Sequence, residues 1–280
     1  MRRLLLVLAI VGVIAVALVI ALEIRADRRA SSSELESAFP ADTVVGPTTY
    51  GAYNVRVIVD QGTRFHYQVY LPRRFTSRKH WPVIIALHGS TQKGRDNRQQ
   101  IEPPGFAAIL RDSSAANNAI TIFPQNPVGM RGPRFNTAIL GMLDATLREF
   151  HADSARVYFT GVSYGGILGY DLVSRFPERF AAFVPVSGDV SVGWTMDGRS
   201  VPRDSAFEVV AAGLKTVPVW AFHGGADSQV PTDNARHIVD AMRKAGVNIQ
   251  YTEYPGKGHS IWDEAYRTPE LYTWMFAQHR

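Results

Sequence analysis

VYFTGVSYGGILGYDLVSRFPERF, residues 157–180, runs four strand-forming side chains into Gly-Val-Ser-Tyr-Gly and then into an apolar helical pattern. Val157, Tyr158, Phe159 and Thr160 are β-branched or aromatic and suit a short buried strand. Beyond the turn, Ile167, Leu168, Leu172 and Val173 recur at helical spacing, and Pro177 stands where a helix should stop. Gly161 and Gly165 let strand and helix approach closely, and they let the residue between them take a strained backbone. Such a turn lifts the hydroxyl of Ser163 clear of the surface and aims a helix N-terminus near it. A chance G-x-S-x-G occurs in roughly one chain of this length in ten. The placement between strand and helix therefore carries the argument, and a nucleophilic serine still needs a base and an acid elsewhere.

Strands and helices alternate on both sides of this stretch. Residues 53–59 and 65–71 read as a hairpin around Asp60-Gln61-Gly62, and WPVIIALHG holds a buried strand at 82–87. A strand at 119–123 precedes an amphipathic helix over 134–150, with Ile139, Leu140, Leu143 and Leu147 on one side. After 157–160 and its helix come strands in FAAFVPVSG and at 218–222, a helix at 232–245, the strand IQYTEY, and a closing helix from Pro269. Eight strands are expected, two antiparallel at the start and the rest joined by helical crossovers. That predicts an α/β protein with a mostly parallel eight-stranded sheet flanked by helices. Functional loops then follow the C-terminal ends of strands.

His259, in YPGKGHSIW after the last strand, is the histidine placed to serve Ser163 as base. His88 and His223 precede glycines at strand ends and read as turn-shaping; His66 alternates within a strand, and His80, His151, His237 and His279 read as surface positions. For the acid, Asp227 in FHGGADSQVP is preferred over Asp189 in VSGD, because its loop leaves the strand beside that of His259. Asp233, Asp263 and Glu264 read as helix-start residues. Neutral serine is a poor nucleophile, so His259 would take its proton while Asp227 holds the imidazole tautomer. The order Ser163, Asp227, His259 suits an α/β-hydrolase. An oxyanion would need two N–H donors, expected from the backbones of Tyr164 and of Ser90 in LHGS.

Composition narrows the alternatives. The 280 residues carry 30 Lys+Arg against 25 Asp+Glu, and the first thirty supply +3 of the net +5, so charge alone does not argue for nucleic acid. There is no cysteine, which excludes disulfides, thiolate-zinc sites and dienelactone-type chemistry with a cysteine nucleophile. No His/carboxylate cluster has metal-ligand spacing, and no cofactor or metal is expected. Arg2-Arg3 precede an uncharged apolar run from Leu4 to Leu22, which as a helix would span roughly 28 Å. Segment 1–22 is read as a transmembrane anchor, preferred over a cleaved signal peptide, with the catalytic domain outside the cytoplasm. Residues 23–50 read as a polar linker and 51–280 as the catalytic domain.

From about residue 50 onward the chain resembles α/β-hydrolase serine esterases, in the phospholipase/carboxylesterase-like group often labelled predicted peptidases and close to feruloyl esterases. PVWAFHGGADSQVP, YTEYPGKGHSIWDEAY and YFTGVSYGGILGYDLVSRFPERFAAFVPVSG carry the resemblance. Tyr164 stands where that group commonly has Met, and HGSTQKGRDN follows its oxyanion loop only in part, resembling polyhydroxyalkanoate depolymerases as well. The resemblance implies the same roles for Ser163, Asp227 and His259, no large cap domain, and a small-molecule or polymer-attached ester as substrate. A serine peptidase of prolyl-oligopeptidase type and a non-catalytic binding protein are the competing readings. Residues 188–216 read as an insertion near the site, with Trp194 and Trp262 as pocket candidates.

Overall fold

A computed structural model describes residues 48–60, 62–102, 110, 113, 118–128, 133–190, 195–196, 199–200 and 203–280. The apolar run at 4–22, almost all of the 23–50 linker, and Trp194 lie outside them. Among the described residues no helix is long and apolar enough to cross a membrane.

The elements run β1 (Tyr53–Asp60), β2 (Thr63–Tyr70), β3 (Val83–Leu87), β4 (Ile120–Pro124), α1 (Pro133–Phe150), β5 (Val157–Val162), α2 (Tyr164–Arg175) and β6 (Ala182–Val186). A short ribbon, β7 (Thr195–Met196) and β8 (Arg199–Ser200), precedes α3 (Arg203–Gly213). Then follow β9 (Val219–Gly224), α4 (Thr232–Ala245), β10 (Ile249–Tyr254), α5 (Trp262–Tyr266) and α6 (Pro269–Phe276). Eight strands form one sheet in the order β1-β2-β4-β3-β5-β6-β9-β10. The β1–β2 and β2–β4 pairs are antiparallel and the others parallel, as expected of this α/β-hydrolase sheet.

Strand periodicity divides the apolar residues between two layers. Val83, Ile85 and Leu87 of β3, with Val157 and Phe159 of β5, face a core shared with α1 to α4. Ile84 and Ala86, with Tyr158 and Val162, face a second core built with α5 and α6. A fully buried aliphatic or aromatic side chain contributes about 1.5–3 kcal/mol, so a one-residue slip in any central strand would exchange both layers and is strongly disfavoured. The connections from β4 to β5, β6, β9 and β10 all advance the same way across the sheet. A single hand of crossover then puts α1 to α4 on the same face.

One expectation is corrected here. Residues 188–216 are not wholly an insertion, because Arg203–Gly213 forms α3, the crossover between β6 and β9. Its buried Ala206, Val210 and Ala211, with Leu214 just beyond, recur at helical spacing and pack on the first core.

β3 lies between β4 and β5, so the chain leaves β3 in one direction and afterwards returns past it in the other. In open α/β sheets the crevice at such a reversal is where ligands bind. The C-terminal ends of β3 and β5 meet there.

Candidate active site

Ser163 occupies the reversal. Its backbone sits at φ 51°, ψ −116°, a region that costs a non-glycine residue roughly 1–3 kcal/mol. Its N–H donates to the Val186 carbonyl of β6 at 2.8 Å, and its own carbonyl accepts from Ile167 N–H at 2.9 Å as α2 begins. The glycines make the turn possible. A Cβ on Gly165 would stand 2.2 Å from the Leu87 carbonyl oxygen, and one on Gly161 would stand 2.5 Å from the Gly165 backbone. Any larger residue would push β3, β5 and α2 apart.

The loops after β9 and β10 are knit together because those strands are parallel neighbours. Gly225 N–H donates to the Tyr254 carbonyl at 2.9 Å and Ala226 N–H to that of Lys257 at 2.8 Å. Across this join, Asp227 Oδ2 accepts from His259 Nδ1 at 2.7 Å, and His259 Nε2 lies 2.8 Å from Ser163 Oγ. With the ring proton on Nδ1 for the carboxylate, Nε2 is left to accept from the serine hydroxyl. Asp227 Oδ1 accepts the N–H groups of Gln229 and Val230, each at 2.9 Å. A carboxylate whose side chain has 0% exposure requires such donors.

The alternatives resolve by their partners. Asp189 Oδ2 accepts from Asn234 Nδ2 at 3.0 Å, which engages it at α4. Asp233, Asp263 and Glu264 sit in helix first turns and pair with Arg236, Arg267 and Lys257.

The loop after β3 approaches Ser163 from the other side. Ser90 opens a single 3-10 turn, Ser90–Gln92, and a Cβ on the preceding Gly89 would lie 3.9 Å from Ser163 Cβ. Tyr164 is the first residue of α2; its hydroxyl accepts from Asn126 Nδ2 at 3.1 Å and its ring lies under Lys93 Nζ at 3.9 Å.

Other residues also build the site. His88 does shape its turn, as its place before Gly89 suggested. It donates from Nδ1 to the Gly89 carbonyl at 2.6 Å and accepts Asn126 N–H at Nε2 at 3.0 Å. Ser187 Oγ donates to the His259 carbonyl at 2.8 Å, holding the histidine loop to the end of β6. A serine just after a strand carries no signal for that long-range bond. Trp262 meets the His259 ring edge-on with centroids 6.2 Å apart. Among the described residues no group of three His, Asp or Glu could hold a metal ion.

Burial drives the pKa of His88 from its ordinary 6.5 to about 4. Between those values the folded chain binds fewer protons than the unfolded chain, so stability falls as pH drops from about 6.5 to about 4. His223 is also held below its ordinary value, again mainly by burial, and acts in the same direction. A shift of the size at His88 corresponds to on the order of 3 kcal/mol. Urea midpoints at both ends of this range should show a smaller acid loss in His88→Asn than in the parent. Equal losses would assign the acid sensitivity to other groups.

Residues 69–270 match the sequence profile of the dienelactone hydrolase family. The chain belongs to the dienelactone hydrolase family. Within this family's fold the strained position after β5 holds Ser163, and no cysteine exists anywhere in the chain to replace it. Acetylxylan esterase A of Emericella nidulans is 27% identical over 135 residues, 46% of this chain and 44% of that protein. Feruloyl esterase B of Thermothelomyces thermophilus is 31% identical over 170 residues, 58% of this chain and 57% of that one. Dipeptidyl peptidase family member 1 of Caenorhabditis elegans is 24% identical over 215 residues, 68% of this chain but 27% of that protein. Among solved structures, a thermostable esterase superposes with a TM-score of 0.69 at 25% identity, covering 81% of this chain and 63% of its own. The chain thus spans less than two thirds of the length of these relatives.

Proposed function

We propose that residues 51–280 form a carboxylic ester hydrolase that works through a serine acyl-enzyme. The unbroken hydrogen-bond chain from Asp227 through His259 to Ser163 carries this reading. Ser163 Oγ attacks the ester carbonyl carbon while His259 Nε2 takes its proton, and Asp227 stabilises the imidazolium. The carbonyl oxygen becomes an oxyanion, for which the backbone N–H groups of Ser90 and Tyr164 are the assigned donors. Each such donor contributes about 2.7–4 kcal/mol. Collapse breaks the bond to the alcohol oxygen, which leaves with the proton from His259. Water then gives a proton to His259 as it attacks the acyl carbon; collapse breaks the bond to Ser163 Oγ, which takes that proton back from His259 as the acid is released. No step calls for a cofactor or a metal.

The relatives named for acetylxylan and feruloyl ester hydrolysis favour small acyl or aromatic-acid esters, free or on a polymer. The dipeptidyl peptidase relative supports a second reading, peptide cleavage. An amide's nitrogen must be protonated to leave, and peptidases offset that barrier with binding energy from many substrate residues. The comparison to make is kcat/KM for a short-chain aryl ester, a feruloyl ester and a proline-containing peptide amide. The esters should win by orders of magnitude; a preferred peptide would make the enzyme a peptidase. For residues 1–22 we keep the reading of an anchor or export signal, with the catalytic domain outside the cytoplasm. Full-length protein recovered entirely in a cytosolic fraction would remove it.

A further inference from the structure

His223 is the penultimate residue of β9 and is buried to 1% exposure. Its side chain reaches past the glycine that follows it and across the next loop. Nε2 lies 2.9 Å from the Val230 carbonyl oxygen and 3.3 Å from Asp227 Oδ2. A carbonyl oxygen only accepts, so Nε2 carries a proton and donates it to Val230, while Asp227 Oδ2 lies beside the same ring nitrogen without a hydrogen bond from it. The two carboxylate oxygens of Asp227 are therefore held differently. Oδ1 is gripped by the N–H groups of Gln229 and Val230, while Oδ2 lies between the two imidazoles of His259 and His223. Val230 is gripped from both sides too, its N–H by Asp227 and its carbonyl by His223. The imidazole of His223 thus ties the end of β9 to the turn that carries the carboxylate.

We infer that His223 is a positioning residue: through its Nε2–H it fixes the Val230 turn, whose N–H holds the Asp227 carboxylate, so that Oδ2 meets His259 Nδ1. This rests on the Ser163–His259–Asp227 reading above. His223 acts through Asp227 and takes no proton from substrate or water. Its contribution belongs to the charged transition state, where the imidazolium of His259 leans on a correctly aimed carboxylate.

The test separates the N–H donor from the bulk of the ring. Glutamine can present an amide N–H at about the reach of Nε2, whereas methionine fills similar space without a donor. His223→Met should lower kcat by about 10- to 100-fold, the range for misplacing a group that must be aimed at the reacting centre, with KM nearly unchanged. His223→Gln should recover most of kcat. Adding His223→Met to Asp227→Asn should cost little more than Asp227→Asn alone, because the effect passes through the carboxylate. The low-field proton resonance of the His259–Asp227 hydrogen bond should shift in His223→Met and return in His223→Gln. Where His223→Met does not fold, His223→Phe takes its place. A folded donorless variant with parental kcat would overturn the inference, as would glutamine losing as much as methionine, or losses that multiply in the double variant. Ser163→Ala serves as the control. Full activity there would end the triad reading itself, whereas an inactive Ser163→Ala beside an unimpaired His223→Met would end only this inference.

Discussion

Ser163→Ala should fold normally and lose ester hydrolysis by about a million-fold, because members of such a unit fail together rather than in shares. The change removes one oxygen atom from a partly exposed side chain, so the core beneath is untouched. Alanine inherits the strained backbone at φ 51° without relief, which leaves the turn as it was. What is lost is the atom that lies 2.8 Å from His259 Nε2. His259→Ala should fall nearly as far, since an unassisted serine hydroxyl is rarely ionised. Turnover of an aryl ester, labelling by a fluorophosphonate and a thermal melt together check the result. An active, folded Ser163→Ala, or labelling at another residue, would refute the assignment of the nucleophile.

Asp227→Asn should cost about 10,000-fold in kcat, while Asp189→Asn stays within about ten-fold. An asparagine at 227 can offer its amide N–H to His259 and so favour the tautomer with Nδ1 unprotonated, which turns an N–H rather than a lone pair toward Ser163. It also removes the charge that stabilises the imidazolium. Asp189 bonds to Asn234, so its amide variant disturbs a contact with α4 and leaves the Asp227–His259 bond in place. Steady-state kinetics of the two folded variants suffices. A reversed order of losses would move the acid to the loop after β6.

The spacing of apolar residues made most of the sheet legible. Residues 232–245 hold the helix expected of them because their period of 3.6 is clean and Pro231 and Gly246 mark its ends. The helix over 203–213 was missed because it opens on the polar residues Arg203, Asp204 and Ser205, and its buried positions show only once a sheet lies beneath them. Trp262 does lie against His259, as a pocket candidate should, but it is also half buried against the second core.

The candidate site divides in the same way. Ser163, Asp227 and His259 could be named from the sequence because each stands in a short turn just after a strand. A parallel sheet sends all such turns to one edge. The choice of Asp227 over Asp189 needed only that its strand be next to that of His259. The place of β3 in the strand order was not legible. That β3 lies between β4 and β5 depends on which faces bury together, a property of the whole sheet that no local window contains. The reach of Ser187 to His259 and of His223 to Val230 was hidden for the same reason. Each acts through a hydrogen bond whose direction is set by the packed backbone around it, and residue type alone leaves that direction open. The sequence by itself determined the alternation of elements, the sharp turn at Ser163 and the residue types able to do the chemistry, because these follow from local sterics and periodicity. Only the tertiary structure decided the place of β3 in the strand order, the pairing of Asp227 with His259 and the second histidine beside Asp227, because these depend on distances between segments far apart in the chain.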